Sequence, residues 1–329
     1  MKKRSLSIVL GTVLAAGVLA GCGSNAQGVQ DTNAADAAGA DSAATETNAA
    51  GADTAATDTT TEEANAADVA GTDADAATTD AADGETEIAA DGQLKSVLDK
   101  GTLTVAMEGN WQPWSYHDLQ TNEVIGYDAD VARAIGEKLG VTVEIVEAPW
   151  ESLFAGLDDG RYDFVVNGVE ITDERSAKYD FSDPYAYVHT ALVVRDDNTE
   201  IKGFDDLAGK VTCNSIGSTY MELAESYGAT ANGVSTLDET VQNVVNGRAD
   251  ATLNSEDSIL FYQSQNPDAP IKIIATTDEA SSVAIPMRKG DDSASLRAAV
   301  NKALAELSAD GTLTSLSEKY FGSDLSAND

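Results

Sequence analysis

Cysteine and histidine are both scarce in this chain of 329 residues, which has two of each. Cys22 and Cys213 provide neither a disulfide framework nor a metal site built from cysteine and histidine. His117 and His189 are too few for a histidine-rich zinc site. We therefore expect no bound metal and no cofactor.

Positive charge is also scarce. The chain has 20 Lys and Arg residues against 56 Asp and Glu residues, which gives a formal net charge of -36. Nucleic-acid binding depends on basic patches that neutralise phosphate groups. The composition therefore argues against a nucleic-acid partner.

The amino terminus lacks a hydrophobic run long enough to span a membrane. Leu6 to Ala20 is a run of 15 residues, whereas a spanning helix needs about 20. The run follows the basic residues Lys2-Lys3-Arg4, as in an export signal. It ends in Leu19-Ala20-Gly21-Cys22, which resembles the bacterial lipobox, where signal peptidase cuts before the cysteine and the thiol carries a diacylglycerol.

We therefore predict a lipoprotein signal peptide over residues 1–22, with lipidation at Cys22. The alternative is an uncleaved membrane anchor with an incidental cysteine. Both interpretations place the remaining chain outside the cytoplasm, attached to the cell membrane. Several acyl chains on Cys22 would be needed for stable anchoring, because one chain binds a membrane only marginally.

The next segment, residues 23–90, has no basic and no aromatic residue but has 15 acidic ones. Ala, Asp, Thr, Gly, Asn and Glu make up most of it. Such a segment cannot bury enough apolar surface to offset its conformational entropy. We predict that residues 23–90 form a disordered acidic linker that tethers the folded part to the membrane.

The most informative stretch of the chain runs from Arg161 to Tyr187. Within it, Tyr162 to Val166 is apolar and is rich in β-branched and aromatic residues, which predicts a buried strand. Asn167-Gly168 ends that strand, and Thr172 provides a helix start. Ligands of open α/β sheets bind at the carboxyl ends of the strands. There, the guanidinium group of Arg175 would be suited to hold a carboxylate.

Two motifs in this stretch resemble a known protein family. They are Asn167-Gly168-Val169-Glu170-Ile171-Thr172-Asp173-Glu174-Arg175 and Tyr179-Asp180-Phe181-Ser182-Asp183-Pro184-Tyr185. They are similar to motifs of extracytoplasmic solute-binding proteins that serve ABC importers of polar amino acids. The resemblance extends over roughly residues 91 to 323.

The resemblance implies an α/β fold of the two-lobed, periplasmic-binding-protein-like type II class, with two hinge crossings. Lobe 1 would comprise residues 91–192 and 280–329, and lobe 2 would comprise residues 193–279. The implied function is to bind an amino acid by hinge closure and to deliver it to an ABC permease in the membrane. A polar or cationic amino acid or cystine is the expected ligand, because several acidic residues surround the site; glutamate or aspartate is the rival.

The resemblance also implies which residues bind the ligand in the first lobe. Glu108 stands where the family places an acidic or polar residue, and Trp111 and Trp150 stand where it places aromatic walls. A cationic side chain between two tryptophans would gain from cation-π attraction. The alternative for each tryptophan is a structural position in the core.

In the second lobe, Gly217-Ser218-Thr219 lies between a predicted strand and a predicted helix. A helix amino terminus presents free backbone N-H groups, which suit an anion. This turn matches the Gly-Thr-Thr turn that in relatives holds the same carboxylate as the arginine. A carboxylate held by Arg175 and by this turn would keep the two lobes together; ordinary helix capping is the alternative.

The sequence departs from the family at the expected ammonium site. Relatives commonly have an aspartate at the Ser255 position, whereas the acid here follows at Glu256, and Glu170 stands where Ser or Thr is common. Either glutamate can take the ligand's ammonium group, and a structural role for each is the alternative. The complete set of predicted ligand-binding residues is Glu108, Trp111, Trp150, Asn167, Gly168, Val169, Glu170, Arg175, Gly217, Ser218, Thr219, Ser255 and Glu256.

Two other classes of function remain as alternatives. A dehydratase-like enzyme on the same fold could use Glu170 and Glu256 as general acid and base. No Ser/His/Asp, Cys/His or metal set supports that alternative, so we expect no enzyme and no catalytic residues. A ligand sensor that reports to a separate receptor is the third class.

Overall fold

The computed structural model describes residues 88–328. The predicted signal peptide over residues 1–22 and the predicted linker up to residue 87 lie outside the described residues. Among the helices of residues 88–328, none is both long enough and apolar enough to cross a membrane.

The described part of the chain alternates helices and short strands. The α-helices are α1 Gly92–Lys100, α2 Tyr127–Leu139, α3 Trp150–Asp158, α4 Asp173–Lys178, α5 Thr219–Ser226, α6 Leu237–Val245, α7 Glu256–Gln265, α8 Asp291–Ala309 and α9 Thr312–Phe321. The strands are β1 Thr102–Met107, β2 Asn110–Trp111, β3 Ser115–His117, β4 Val124–Ile125, β5 Thr142–Glu147, β6 Phe164–Val165, β7 Tyr179–Phe181, β8 Ala186–Val188, β9 Thr190–Arg195, β10 Val211–Ser215, β11 Thr230–Val234, β12 Ala251–Ser255, β13 Ile271–Thr276, β14 Ser281–Val283 and β15 Pro286–Arg288. A short 3-10 helix, Phe204–Leu207, precedes β10.

The first sheet has three parallel strands in the order β5-β1-β6. Its central strand β1 is buried along five of its six residues, which explains its nearly continuous apolar sequence. One hydrophobic cluster joins β1, α2 and α8, to which Leu103, Ile135 and Leu304 belong in that order. A second cluster, with Leu153 and Leu157, joins β1 to α3.

The second sheet has five strands in the order β11-β10-β12-β9-β13. Strand β10 is parallel to β11 and β12, whereas β9 is antiparallel to β12 and β13. Cys213 and Val241 belong to one hydrophobic cluster of this sheet, and Leu192 and Leu253 belong to another. The whole of Thr190–Arg195 lies in this sheet, so residues 190–192, which were predicted to belong to lobe 1, pair instead with β12 of the second sheet.

Two segments of the chain lead from one sheet to the other, and they lie beside each other. Strand β8 ends one residue before β9, with His189 between them, and β14 follows β13 after Thr277 to Ala280. Strands β8 and β14 form an antiparallel pair in which Ser281 is opposite Val188. These paired segments occupy the region where the two hinge crossings are predicted.

The mixed α/β class is confirmed, and so is the predicted helix start at Thr172. Helix α4 begins after Thr172, whose side-chain oxygen accepts a hydrogen bond from the backbone N-H of Arg175 at 3.1 Å. The predicted strand Tyr162 to Val166 is reduced to Phe164–Val165, because β6 pairs with β1 at only two positions.

Replacing Leu103, which is fully buried in β1, should lower the free energy of unfolding. We expect Leu103→Ala to cost about 2–5 kcal/mol, because it removes buried methyl groups and leaves a cavity. Chemical denaturation of the purified protein measures the change. Leu119→Ala is the matched control because Leu119 is fully exposed, and it should stay within about 0.5 kcal/mol of the parent. Equal losses in the two variants would contradict the assignment of β1 as the centre of the core.

Candidate functional site

A cavity with an empty volume of about 500 Å³ lies among loops and helix ends of both sheets. From the first sheet's side, Glu108 follows β1, and Asn167 and Gly168 follow β6. From the second sheet's side, Ser215 ends β10 and Asn254 lies near the end of β12. The complete lining is Glu108, Asn110, Trp111, Trp150, Asn167, Gly168, Glu170, Arg175, Ser215, Ser218, Thr219, Tyr220, Ser235, Thr236, Leu237 and Asn254.

Nine of the thirteen predicted site residues line this cavity. They come from distant parts of the sequence, and the lining brings the two predicted aromatic walls together with the predicted arginine and the helix turn. The nine are Glu108, Trp111, Trp150, Asn167, Gly168, Glu170, Arg175, Ser218 and Thr219.

The other four predicted residues do not line the cavity. Val169 is fully buried in the hydrophobic cluster beside α3. The carbonyl oxygen of Gly217 lies 3.5 Å from Nη2 of Arg175, so Gly217 contacts a lining residue without lining the cavity itself. Ser255 is fully buried and its Oγ lies 2.7 Å from Oγ of Ser258. Glu256 begins α7, and its backbone N-H donates to the carbonyl of His189.

Seven lining residues were missed by the sequence analysis: Asn110, Ser215, Tyr220, Ser235, Thr236, Leu237 and Asn254. Thr236 carries a detectable signal, because Thr236 and Glu239 form a capping box at the start of α6. Ser215 and Asn254 lie at or next to the carboxyl ends of strands, where ligand sites are expected. For Leu237, an apolar helix residue, the sequence offers no signal that separates it from a core position.

Besides the carbonyl oxygen of Gly217, three groups contact the guanidinium group of Arg175. Its Nη1 donates to the carbonyl oxygen of Glu170 at 2.9 Å. Its guanidinium carbon lies 5.3 Å from the ring centre of Trp150 and 5.7 Å from that of Phe154, within the range of cation-π attraction. Burial lowers the pKa of Arg175, but an arginine side chain still keeps its charge. The cavity therefore contains a fixed, partly desolvated cation.

The amino terminus of α5 faces the same cavity. Ser218 caps the helix, because its Oγ accepts from the backbone N-H of Met221 at 3.2 Å and donates to the carbonyl of Ser215 at 2.7 Å. The first turn of any α-helix leaves backbone N-H groups without intrahelical partners, here those of Thr219 and Tyr220. Together with the helix dipole they favour an anion. Arg175 and this helix end converge, since Arg175 Nη2 reaches Gly217.

Gly168 is required by both the backbone and the neighbouring ring. Its φ of +54° lies in the left-handed region, and a Cβ atom there would lie 2.5 Å from Cζ3 of Trp111. Trp111 stacks on Trp114, with ring centres 5.3 Å apart and an angle of 16° between planes. Trp114 is fully buried in the core, whereas Trp111 lines the cavity. The two tryptophans of this loop therefore have different positions.

Glu108 is paired with Asn167 through two hydrogen bonds. The backbone N-H of Glu108 donates to Oδ1 of Asn167 at 2.8 Å, and Nδ2 of Asn167 donates to Oε2 of Glu108 at 2.9 Å. Burial raises the pKa of Glu108 to about 7, although the hydrogen bond from Asn167 acts in the opposite direction. Glu108 also borders a surface depression that includes Glu147 and Glu151.

Two further acids lie outside the lining of the cavity: Asp128, which is fully buried, and Asp257, which is partly buried. Asp257 accepts a hydrogen bond from Nε1 of Trp114 at 2.9 Å, and burial raises its pKa to about 7. Asp128 accepts one from the hydroxyl of Tyr185 at 2.6 Å, and burial raises its pKa to about 8. The Trp114 contact links the first sheet's side of the molecule to α7, which follows β12 of the second sheet.

Residues 103–323 match the family described as bacterial extracellular solute-binding proteins, family 3. The chain belongs to this family. The match covers most of the described residues and includes every residue that lines the cavity. The expected relationship and the periplasmic-binding-protein-like fold class are therefore confirmed.

Three relatives illustrate the similarity. The L-cystine-binding protein TcyA of Bacillus subtilis (strain 168) is 40% identical over 239 residues, which are 72% of this chain and 88% of that protein. The L-cystine solute receptor of Neisseria gonorrhoeae, in its unliganded open conformation, is 40% identical, with a TM-score of 0.51 over 72% of this chain and 99% of that chain. An ancestral arginine-binding protein bound to arginine is 36% identical, with a TM-score of 0.63 over 68% of this chain and 99% of that chain.

The buried carboxyl group of Asp128 should make the stability depend on pH. Its pKa is about 8 in the folded protein and about 4 when unfolded, so its contribution is complete below about pH 4 and is lost as the pH rises towards 8. The unfolding free energy of the parent should therefore fall as the pH rises through that window. We expect the fall to be less steep in Asp128→Asn, by up to about 1.4 kcal/mol per pH unit.

Urea denaturation between about pH 5 and about pH 7.5 measures this slope. Asp205→Asn is the control, because Asp205 is exposed on the short 3-10 helix. The glutamate and aspartate at positions 108 and 257 still titrate in both variants, so the comparison is between slopes. An Asp128→Asn slope equal to that of the parent would contradict the prediction.

Proposed function

We propose that this protein is an extracytoplasmic receptor that binds an amino acid and delivers it to an ABC permease. The observation that carries the proposal is the convergence of Arg175 and the amino terminus of α5 on one cavity. Arginine provides a planar pair of donors for a carboxylate, and the helix end provides backbone donors. Membership of the solute-binding family supports the same function.

The rest of the cavity favours a polar or cationic amino acid or cystine. Trp111 and Trp150 provide aromatic surface, and the acids Glu108 and Glu170 favour ligands that carry positive charge. A glutamate or aspartate ligand would add a second carboxylate to this acidic lining, which counts against it. The L-cystine-binding relative TcyA supports cystine, whose two ammonium groups would match two separate acids.

Hinge closure between two lobes is the proposed binding motion. The two lobes would be those predicted, residues 91–192 with 280–329 and residues 193–279, except that residues 190–192 would belong to the second lobe with the rest of β9. The paired segments around β8 and β14 would join the lobes. The contacts of Arg175 with Gly217 and of Trp114 with Asp257 join residues assigned to different lobes. A ligand whose carboxylate contacts both Arg175 and α5 would favour the closed form.

The two alternative functions receive less support. The dehydratase-like alternative relied on Glu170 and Glu256 as a pair, but Glu256 does not line the cavity. The relatives described above are named as binding proteins or receptors. A sensor would use the same ligand site, and a 33% identical relative from Haemophilus influenzae, named as a probable amino-acid ABC transporter-binding protein, favours transport over signalling. We therefore propose a binding protein without enzymatic activity.

The proposed location is the outer face of the cell membrane, through a lipid on Cys22. The lipobox-like sequence before Cys22 and the acidic residues 23–90 support a membrane anchor with a long tether. Such a tether would keep the receptor near its permease.

Arg175→Ala should abolish ligand binding because it removes the cation that holds the carboxylate. A thermal-shift screen of the purified protein with the twenty common amino acids, L-cystine and ornithine should first identify a ligand. At about a hundred times its dissociation constant, a ligand adds about 2.7 kcal/mol of stability, which raises the unfolding midpoint. We expect that rise to disappear in Arg175→Ala.

Arg161→Ala is the matched control, because Arg161 is exposed and lies only 3.7 Å from Asp159 in a surface ion pair. It should keep the full thermal shift. Mass spectrometry of the recovered ligand should find it unaltered. Full binding by Arg175→Ala, or a ligand that returns dehydrated, would refute the receptor proposal.

Cys22→Ala should prevent lipidation. Cells that express the parent protein in the presence of radiolabelled palmitate should show a labelled band in the membrane fraction, and cells that express Cys22→Ala should not. Cys213→Ala is the control, since Cys213 is buried in the second sheet and should leave labelling intact. Equal labelling of the parent and of Cys22→Ala would disprove the anchor.

A further inference from the structure

The one polar group of the Trp114 side chain is bonded across the boundary between the two proposed lobes. The ring is fully buried and lies between β2 and β3, on the first sheet's side. Its Nε1 donates to Oδ2 of Asp257 at 2.9 Å and to Oγ of Ser258 at 3.1 Å. Both acceptors belong to the first turn of α7, which follows β12 of the second sheet. An indole ring has a single N-H donor, so its hydrogen bonding here joins the two lobes.

The Trp114 ring is held in place on the first sheet's side from several directions. Trp111 stacks on it, and the ring of Tyr127 meets it edge-on with ring centres 5.7 Å apart. Phe321, at the end of α9, has its ring centre 4.9 Å from that of Trp114. The backbone N-H of Asp128 donates to the carbonyl oxygen of Trp114 at 2.9 Å. The ring is therefore fixed in lobe 1 and cannot follow α7 when the lobes separate.

The two acceptors are fixed in lobe 2 in the same way. Oγ of Ser255, the last residue of β12, donates to the buried hydroxyl oxygen of Ser258 at 2.7 Å. The hydroxyl oxygens of Ser255 and Ser258 also lie 3.5 Å and 3.4 Å from Oδ2 of Asp257. Donor and acceptors are thus both preformed, so closure needs to order few side chains to bring them together.

This contact between the lobes lies outside the ligand cavity. Trp114, Asp257 and Ser258 are absent from its lining, whereas the contact of Arg175 with Gly217 joins the lobes through a lining residue. In an open form, water would replace the two acceptors at the indole N-H. In the closed form a buried N-H without an acceptor is costly, so the acceptors favour closure. Because they do not line the cavity, their effect does not depend on which ligand is bound.

We propose that Trp114, Asp257 and Ser258 form a latch between the lobes, which lowers the free-energy cost of closure by the same amount for every ligand. This inference rests on the hinge closure of the proposed function. The apparent affinity of a receptor falls in proportion to the population of its binding-competent form. The latch therefore sets how tightly ligands bind without changing which ligand is preferred.

Calorimetric titration with L-cystine and with L-arginine tests the latch. The variant Asp257→Ala/Ser258→Ala removes both acceptors, and it leaves the indole N-H of Trp114 buried without a partner in the closed form only. We expect its affinity for each probe to fall by the same factor, about 10-fold or more. Equal factors distinguish a latch from a residue that contacts the ligand, which would affect the two probes unequally.

Asp238→Ala/Ser264→Ala is the matched control. Asp238 is the second residue of α6, as Asp257 is of α7, and Ser264 lies further along α7. Both are exposed and neither lines the cavity, so the control should bind the probes as the parent does. Unchanged affinity in Asp257→Ala/Ser258→Ala would overturn the inference. Clearly unequal losses for two probes that bind the parent would also overturn it, and both results leave the receptor proposal intact.

A measurement without ligand separates this inference from the receptor proposal. Gln112 and Gln265 are exposed and line one groove from opposite lobes, so spin labels on Gln112→Cys and Gln265→Cys report the separation of the lobes. Cys22→Ala in the same chain leaves the buried Cys213 as its one native thiol.

These label distances decide the inference if the parent binds no amino acid, a result by which the receptor proposal fails. Longer distances in Asp257→Ala/Ser258→Ala than in the parent would then support the latch, and identical distances would overturn it. If the double variant does not fold, Asp257→Ala alone replaces it in both experiments. Because Ser258 remains as an acceptor, we expect the smaller loss of about threefold in affinity.

Discussion

The fixed guanidinium group of Arg175 is the interaction on which the cavity depends. A cation taken out of water must be compensated, and here two carbonyl oxygens and two aromatic rings do so only in part. The amino terminus of α5 adds positive potential instead of removing it. The site therefore favours an anion beside Arg175, although the Glu170 carboxyl group also acts on that cation.

Three of the acids near the cavity have hydrogen-bond partners of their own. Asn167 holds Glu108, Trp114 holds Asp257, and Tyr185 holds Asp128. Burial raises the pKa of each of these carboxyl groups to between about 7 and about 8, which lowers the negative charge close to the cavity at neutral pH. The low-dielectric surroundings that strengthen ligand contacts thus also limit the competing charges.

Local sequence signals were sufficient for much of this architecture. Thr172 predicted the start of α4, because the cap and the first turn are only three residues apart. The strand that ends at Asn167-Gly168 predicted that Arg175 would lie near the ligand site. The turn Gly217-Ser218-Thr219 was also recognisable, because its capping residue Ser218 directly precedes α5. Helix α7 was not anticipated, and Glu256 was expected to face the ligand. Which of Ser255, Glu256 and Asp257 faces the cavity depends on how α7 packs against Trp114, 143 residues earlier in the chain.

Gly168 also constrains how the binding preference of this protein can change. The ring of Trp111 occupies the space that a side chain at position 168 would need, and the backbone there is left-handed. One wall of the cavity is therefore formed by bare main chain pressed against an aromatic ring. A lineage that altered the ligand range at this wall would have to substitute both positions together, so residues 111 and 168 should covary among descendants.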